Sequence, residues 1–134
     1  MITVEHIFKA YPGHPDIMDE YRTNARLLVD RVNHLLSRFP GTLPRNPATG
    51  TLVSGEKNGG WRPLDCPIGA PNSSHKTGQA VDIYDPDGEL DDWLMDHQAL
   101  LTGVDLYLEH PSATRGWSHL TTRAPRSGRR VFFP

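Results

Sequence analysis

One segment of this chain has the pattern of a long helix, and it constrains the fold more than any other feature. Between residues 15 and 39, apolar side chains recur at steps of three and four, so they form one face of an α-helix: Ile17, Tyr21, Ala25, Leu28, Val32, Leu35 and Phe39. Asp16 is the predicted N-terminal cap, and Pro40 with Gly41 ends the helix. Twelve prolines and twelve glycines favour a loop-rich fold over a helical bundle.

The rest of the chain predicts short elements. Residues 52–54, 79–84, 104–110 and 117–122 have the pattern of strands, and a helix capped by Asp87 follows the second of them. Residues 55–74 are predicted to be a long surface loop. This order predicts an α+β fold with a small, mainly antiparallel sheet and flanking helices. The length suits a single domain, residues 1–134.

Composition and charge make several classes of function less favoured, although they leave room for a local basic patch. A net charge of -2 and a pI near 6.4 give no support for nucleic-acid binding, and no apolar run is long enough for membrane insertion. Cys66 is the single cysteine, so an internal disulfide is excluded. The first residues lack the pattern of a signal peptide, so we expect synthesis in the cytoplasm. We also expect a monomer.

His75, Gly78 and Asp82 form the first candidate cluster. On one helix, His75 and Asp82 would lie about 10 Å apart along the axis, too far to share a metal ion. A turn at Gly78 removes this difficulty, because glycine adopts the positive φ that folds a loop back onto a strand. The spacing therefore predicts a loop histidine, a glycine turn and a strand carboxylate.

His119 is the candidate third ligand, on a predicted strand where Trp117 shares its face. Two imidazoles and one carboxylate leave a position open, which is typical of a catalytic zinc site and of metal-assisted amide hydrolysis. The alternative is that each histidine is an ordinary hydrogen-bonded polar residue. The remaining histidines outside this region are assigned no functional role: His6, His14, His34 and His97.

Together these residues resemble a known family. Residues 73–82 (SSHKTGQAVD) resemble the SxHxxGxAxD signature of the zinc D-Ala-D-Ala carboxypeptidase family, which includes peptidoglycan-cleaving phage endolysins and shares its fold with hedgehog signalling domains. Residues 117–119 (WSH) resemble the later W-x-H element of the family. Residues 54–63 (SGEKNGGWRP) resemble its upstream stretch, with Arg62 in the place of the arginine.

The resemblance implies a hedgehog/DD-peptidase-like fold and one zinc ion held by His75, Asp82 and His119. It also implies hydrolysis of peptide bonds in bacterial peptidoglycan, by a carboxypeptidase that cuts D-Ala-D-Ala or by an endopeptidase that cuts stem or cross-link peptides. An enzyme without a signal peptide would reach the cell wall only after release, as in a phage or prophage product.

The resemblance further implies substrate-binding roles. Arg62 would hold a substrate carboxylate or the carbonyl next to the scissile bond, because a guanidinium binds a carboxylate with two hydrogen bonds. The alternative for Arg62 is an ordinary surface salt bridge. Trp117 and Ser73 are the other candidate substrate-binding residues, although Trp117 is equally suited to a core and Ser73 to a local turn hydrogen bond.

One position departs from the family pattern. Many members carry an acidic general base three residues before the last histidine ligand, where this chain has Gly116. Glu109 is the predicted replacement, with His110 as the second candidate, because alternation along a strand lets only one of the two face the site. The alternative for Glu109 is a salt bridge to Arg115 or Arg123.

Gly116 also supports a second hypothesis. The chain would then be a non-catalytic zinc-containing module that binds cell-wall peptide or a protein partner. A third hypothesis is a small α+β domain without a metal ion.

Overall fold

A computed structural model describes residues 1–134 and has α+β architecture, which confirms the predicted fold class. Four helices flank a four-stranded sheet: α1 (Val4–Phe8), α2 (Asp19–Leu36), α3 (Glu89–Asp96) and α4 (Gln98–Val104), with β1 (Ala80–Tyr84), β2 (Tyr107–Glu109), β3 (Trp117–Thr121) and β4 (Val131–Phe132). Short 3₁₀ turns at Ser74–Thr77 and Pro111–Ala113 precede β1 and β3. None of the helices combines the length and the apolarity that a membrane span requires.

The sheet has the strand order β1-β3-β2-β4 and is mixed. β3 pairs antiparallel with both β1 and β2, while β4 runs parallel to β2. In the β1–β3 register, Asp82 lies directly opposite His119. The strand predicted at residues 52–54 is reduced to one bridge, between Val53 and Ile83.

Helix α2 packs its apolar face against the sheet, with Ala25, Leu28, Val32 and Leu35 buried in the same core as sheet residues such as Val81 and Leu120. The predicted cap of this helix was wrong. The helix begins at Asp19 after Met18, which provides no side-chain cap, and Asp16 lies in the turn before it, where its backbone N–H donates to His14 Nδ1 at 3.1 Å. The short helix α1 was not predicted, and Trp61, in the predicted surface loop, is a fully buried core residue.

Helix α3 is capped by Asp85, so the prediction of Asp87 was also wrong. Asp87 is exposed, whereas the carboxylate of Asp85 accepts hydrogen bonds from the backbone N–H groups of Leu90 and Asp91, both at 3.0 Å. Gly88, at φ 73°, turns the chain so that Asp85 reaches the helix start. The single predicted helix is two helices separated at His97, and residue 104 belongs to α4 rather than to the following strand.

Asp91 is an unusual carboxylate in the first turn of α3. It is only 4% exposed, and Oδ1 has no hydrogen-bond partner. Its other oxygen accepts a long hydrogen bond of 3.4 Å from Thr114 Oγ1. Burial raises the pKa of Asp91 to about 6, and the nearby charge of Asp85 acts in the same direction.

Candidate metal centre

His75, Asp82 and His119 meet beside the β1–β3 pair. Asp82 and His119 come from opposed positions on the two strands, and His75 comes from the 3₁₀ turn that leads into β1. Asp82 Oδ1 lies 3.3 Å from His75 Nε2 and 2.8 Å from His119 Nδ1. The candidate ligand atoms all lie within 4.8 Å of one another, so the three residues could hold a metal ion.

The turn at Gly78 positions His75 against the strand. Gly78 has φ 74°, in the left-handed region, and its N–H donates to the carbonyl of His75 at 3.3 Å. Helix α2 supports the turn from behind, because Asn24 Nδ2 donates to the carbonyl of Thr77 at 2.9 Å. The structure thus contains the loop histidine, glycine turn and strand carboxylate that the spacing predicts.

A hydrogen bond fixes which nitrogen of His75 faces the cluster. His75 Nδ1 lies 2.8 Å from the carbonyl oxygen of Gly60, and a carbonyl only accepts, so Nδ1 carries the proton. The lone pair of Nε2 in the neutral ring then points at the carboxylate of Asp82. Two such acceptors attract each other only with a cation or a proton between them. Metal-binding histidines are typically oriented in this way by a carbonyl on the second nitrogen.

One of the three ligand-ligand distances is that of a tetrahedral site. Ligand atoms about 2.1 Å from zinc lie about 3.4 Å from one another, close to the separation of His75 Nε2 and Asp82 Oδ1. His119 Nδ1 is at hydrogen-bond distance from Asp82, so an ion held by the three residues would replace that hydrogen bond.

The charges of the cluster favour a cation. Burial alone would raise the pKa of Asp82, but His75 and His119 together hold it well below its ordinary value, so the carboxylate is ionised at neutral pH. Burial opposes protonation of His119, yet the hydrogen bond and charge of Asp82 raise its pKa overall. A metal ion therefore competes with a proton for this site.

Glu109 lines the same open cavity, of about 490 Å³, as the three residues of the cluster. Its Oε2 lies 3.9 Å from His119 Nδ1, and burial raises its pKa, although the charge of His119 opposes the shift. His110 points elsewhere, with Nδ1 2.9 Å from Ser112 Oγ and its ring stacked on that of Phe133. Of the two candidate bases, Glu109 is the one that lines the cavity. It forms no ion pair with either arginine considered from the sequence.

Arg62 also lines the cavity, but most of its guanidinium faces protein atoms. Nε donates to the carbonyl of Asn58 at 2.8 Å, and Nη1 donates to that of Ile68 at 3.2 Å. Nη2 lies 3.5 Å from Asp82 Oδ2, the oxygen that faces away from His119. Arg62 is therefore buried and holds both the Asp82 carboxylate and the loop that walls the cavity, which differs from a surface salt bridge.

Ser73 and Trp117 line the same cavity. Ser73 Oγ accepts a hydrogen bond of 3.2 Å from the backbone N–H of His75, which is the local turn contact considered from the sequence. Trp117 is half-buried at the edge of the site. The histidines assigned no role lie outside the cavity, as does Cys66.

Sequence reasoning missed two residues that shape the site. Lys76 is 7% exposed, and its Nζ donates to the carbonyls of Leu64 at 2.9 Å and Pro71 at 3.1 Å, which fixes the loop wall. Gly60 contributes the carbonyl that orients His75. A lysine next to a candidate ligand gives no signal that its amine is turned inward, and backbone carbonyls leave no pattern in a sequence.

Comparison of the chain with protein-family models, with curated proteins and with solved structures gives no match. The likeness to zinc peptidases therefore rests on the motif residues, and a function has to be argued from the side chains that meet in the cavity.

Proposed function

We propose that this chain is a zinc-dependent peptidase that hydrolyses peptide bonds in bacterial peptidoglycan. The observation that carries the proposal is the orientation of His75, whose Nδ1 is committed to the carbonyl of Gly60 and whose Nε2 faces an ionised carboxylate. This arrangement suits a metal ligand, and it lies in an open cavity rather than inside the core.

The donor set favours zinc. Two imidazoles and one carboxylate are the ligands of many catalytic zinc sites, which keep a further position open. When bound, such an ion supplies a Lewis acid that polarises a carbonyl and lowers the pKa of water. Arg62 keeps the second oxygen of Asp82 paired, so that the first oxygen is directed at the histidines.

Glu109 is the proposed general base. Its carboxylate stands beside the cluster and has no cationic partner apart from His119, so it is free to accept a proton from the attacking water and to pass that proton to the leaving amine. It reaches the cavity from β2 and thereby provides the carboxylate that Gly116 lacks in the family pattern. The motif resemblance of residues 73–82 and 117–119 is what supports peptidoglycan as the substrate.

Metal content tests the first half of the proposal. We expect about one zinc per chain in the purified wild-type protein and almost none in His75→Ala and His119→Ala, measured by elemental analysis. His34→Ala is the matched control, because His34 is exposed on α2 and should leave the metal content unchanged. A wild-type protein that takes up no zinc, even when zinc is added, would contradict the proposal.

Digestion of purified peptidoglycan tests the second half. Glu109→Gln keeps the size of the side chain and removes its basicity, so we expect hydrolysis to fall by about a hundredfold or more while zinc content stays the same. A zinc-loaded wild-type protein that releases no peptide would favour the non-catalytic zinc module, for which Gly116 is the supporting observation.

A further inference from the structure

The last part of the chain differs strongly in charge from the rest. Residues 110–134 contain five arginines and no acidic residue, whereas residues 1–109 contain nine basic and sixteen acidic residues. This segment includes β3 and β4 and forms one side of the cavity, with Thr121, Arg123 and Phe132 among the lining residues. A protein of net charge -2 therefore presents a basic surface next to its candidate metal site.

Arg123 is the arginine of this segment that lies in the cavity itself. It is exposed, and its side chain has one protein partner, the carbonyl of Asn72, to which Nη2 donates. No carboxylate lies within ion-pair distance of it, whereas Arg130 and Arg31 are paired with Asp105. The remaining N–H groups of Arg123 are thus available to a ligand, in contrast to those of the buried Arg62.

We propose that Arg123 binds a carboxylate of the substrate peptide and makes the site selective for acidic peptides; this rests on the proposed function. The planar guanidinium can donate two parallel hydrogen bonds to a carboxylate. Arg126 and Arg129 are exposed beside a surface depression that shares Pro125 and Phe132 with the cavity, so they add to the positive potential that attracts such a peptide.

The strand geometry gives the distance of the bound carboxylate from the metal site. Trp117, His119 and Thr121 alternate on one face of β3 and line the cavity. Arg123 follows four residues after His119, at most about 13 Å away along an extended chain. An extended peptide advances about 3.3 Å per residue, so the carboxylate belongs within about four residues of the scissile bond.

Three versions of one synthetic stem peptide, L-Ala-γ-D-Glu-L-Lys-D-Ala-D-Ala, provide the probe. One version keeps both free carboxylates, one is amidated at the Glu α-carboxyl group, and one is amidated at the C-terminus. Hydrolysis by the zinc-loaded protein and equilibrium binding by calorimetry are measured for each version. The protein variants are Arg123→Gln and, as a control with the same loss of charge, Arg115→Gln, since Arg115 is exposed and outside the cavity.

We expect the wild type and Arg115→Gln to bind the peptide with both carboxylates free about tenfold more tightly than one of the two amidated versions. The amidated version that binds weakly identifies the carboxylate that Arg123 recognises. Arg123→Gln should lose this preference, with a higher KM and a nearly unchanged kcat. Equal binding of the three versions by the wild type, a preference that survives in Arg123→Gln, or no binding at all would overturn the assignment. Selective binding that depends on Arg123 but is not followed by hydrolysis would support the assignment of Arg123 and refute the proposed peptidase activity.

Discussion

Gly78 offers the sharpest test of how the fold builds the candidate site. The residue has φ 74°, and a Cβ at this position would stand well inside van der Waals contact with the backbone carbonyl oxygen of Tyr21 in α2. Gly78→Ala therefore meets two separate penalties. A non-glycine residue in the left-handed region costs about 1–2 kcal/mol, and the collision with a helix backbone adds about 1–3 kcal/mol because neither partner can move freely.

Gly50 is the matched control. Its φ of 70° is nearly the same, but a Cβ there would meet no atom within 4 Å. Gly50→Ala should show the conformational penalty alone, reduced by about 0.4–1 kcal/mol because alanine also restricts the unfolded chain. We therefore expect the free energy of unfolding to fall by about 2–4 kcal/mol in Gly78→Ala and by about 1 kcal/mol or less in Gly50→Ala.

Urea unfolding followed by tryptophan fluorescence measures both values. Zinc titration of the same proteins measures the effect on the site, because moving the turn at Gly78 moves His75 away from Asp82. We expect weaker zinc binding in Gly78→Ala and unchanged binding in Gly50→Ala. Equal losses of stability in the two variants would refute the reasoning, since the contact with α2 is the feature that distinguishes them.

The remaining predictions concern two buried charges. Asp91→Asn should raise the free energy of unfolding by about 1–2 kcal/mol above pH 7, after allowance for solvent screening, and by little near pH 4. The pKa of Asp91 is raised in the folded protein, so the wild type loses stability as pH rises through about 6, whereas the variant does not. Thermal unfolding across pH 4–8 tests this, with the exposed neighbour Asp92→Asn as control; the same pH dependence in both variants would contradict it. Lys76→Met should leave two loop carbonyls without a donor and cost about 1–3 kcal/mol, with faster hydrogen exchange in residues 63–72. The exposed Lys57→Met should change neither quantity, and equal exchange in the two variants would show that Lys76 does not hold the loop.

The parts of the fold that the sequence predicts are those with a local physical cause. The apolar face of α2 repeats with the period of a helix, and the stretch that forms β1 ends in a run of turn residues. Helix starts were predicted less well, because they depend on the turn that the chain makes before each helix. Asp16 and Asp87 each stand where a cap is expected, but α2 begins three residues after Asp16, and the turn at Gly88 lets Asp85 reach the first turn of α3.

The candidate site was partly predictable because its members carry their chemistry in the side chain. His75, Asp82 and His119 are recognisable as ligand types, and the alternation of a strand restricts the base to either Glu109 or His110. The contacts that hold these side chains and the cavity wall in place were not predictable. Lys76 appears in a sequence as a surface residue, and its buried amine depends on where the carbonyls of Leu64 and Pro71 arrive after folding.

For the proposed peptidase, the topology places a candidate base, Glu109, at a different position in the chain from the family pattern. Gly116 lies three residues before His119, in the turn before β3, and its φ of 98° is one that a carboxylate-bearing residue rarely adopts. β2 pairs with the same strand on the other side, and its register places Leu108 opposite Leu120, so the next residue reaches the level of His119. A carboxylate on β2 therefore approaches the cluster without a left-handed residue. In the proposed function, a turn that needs glycine at 116 leaves the neighbouring strand as the place from which a base can reach the site.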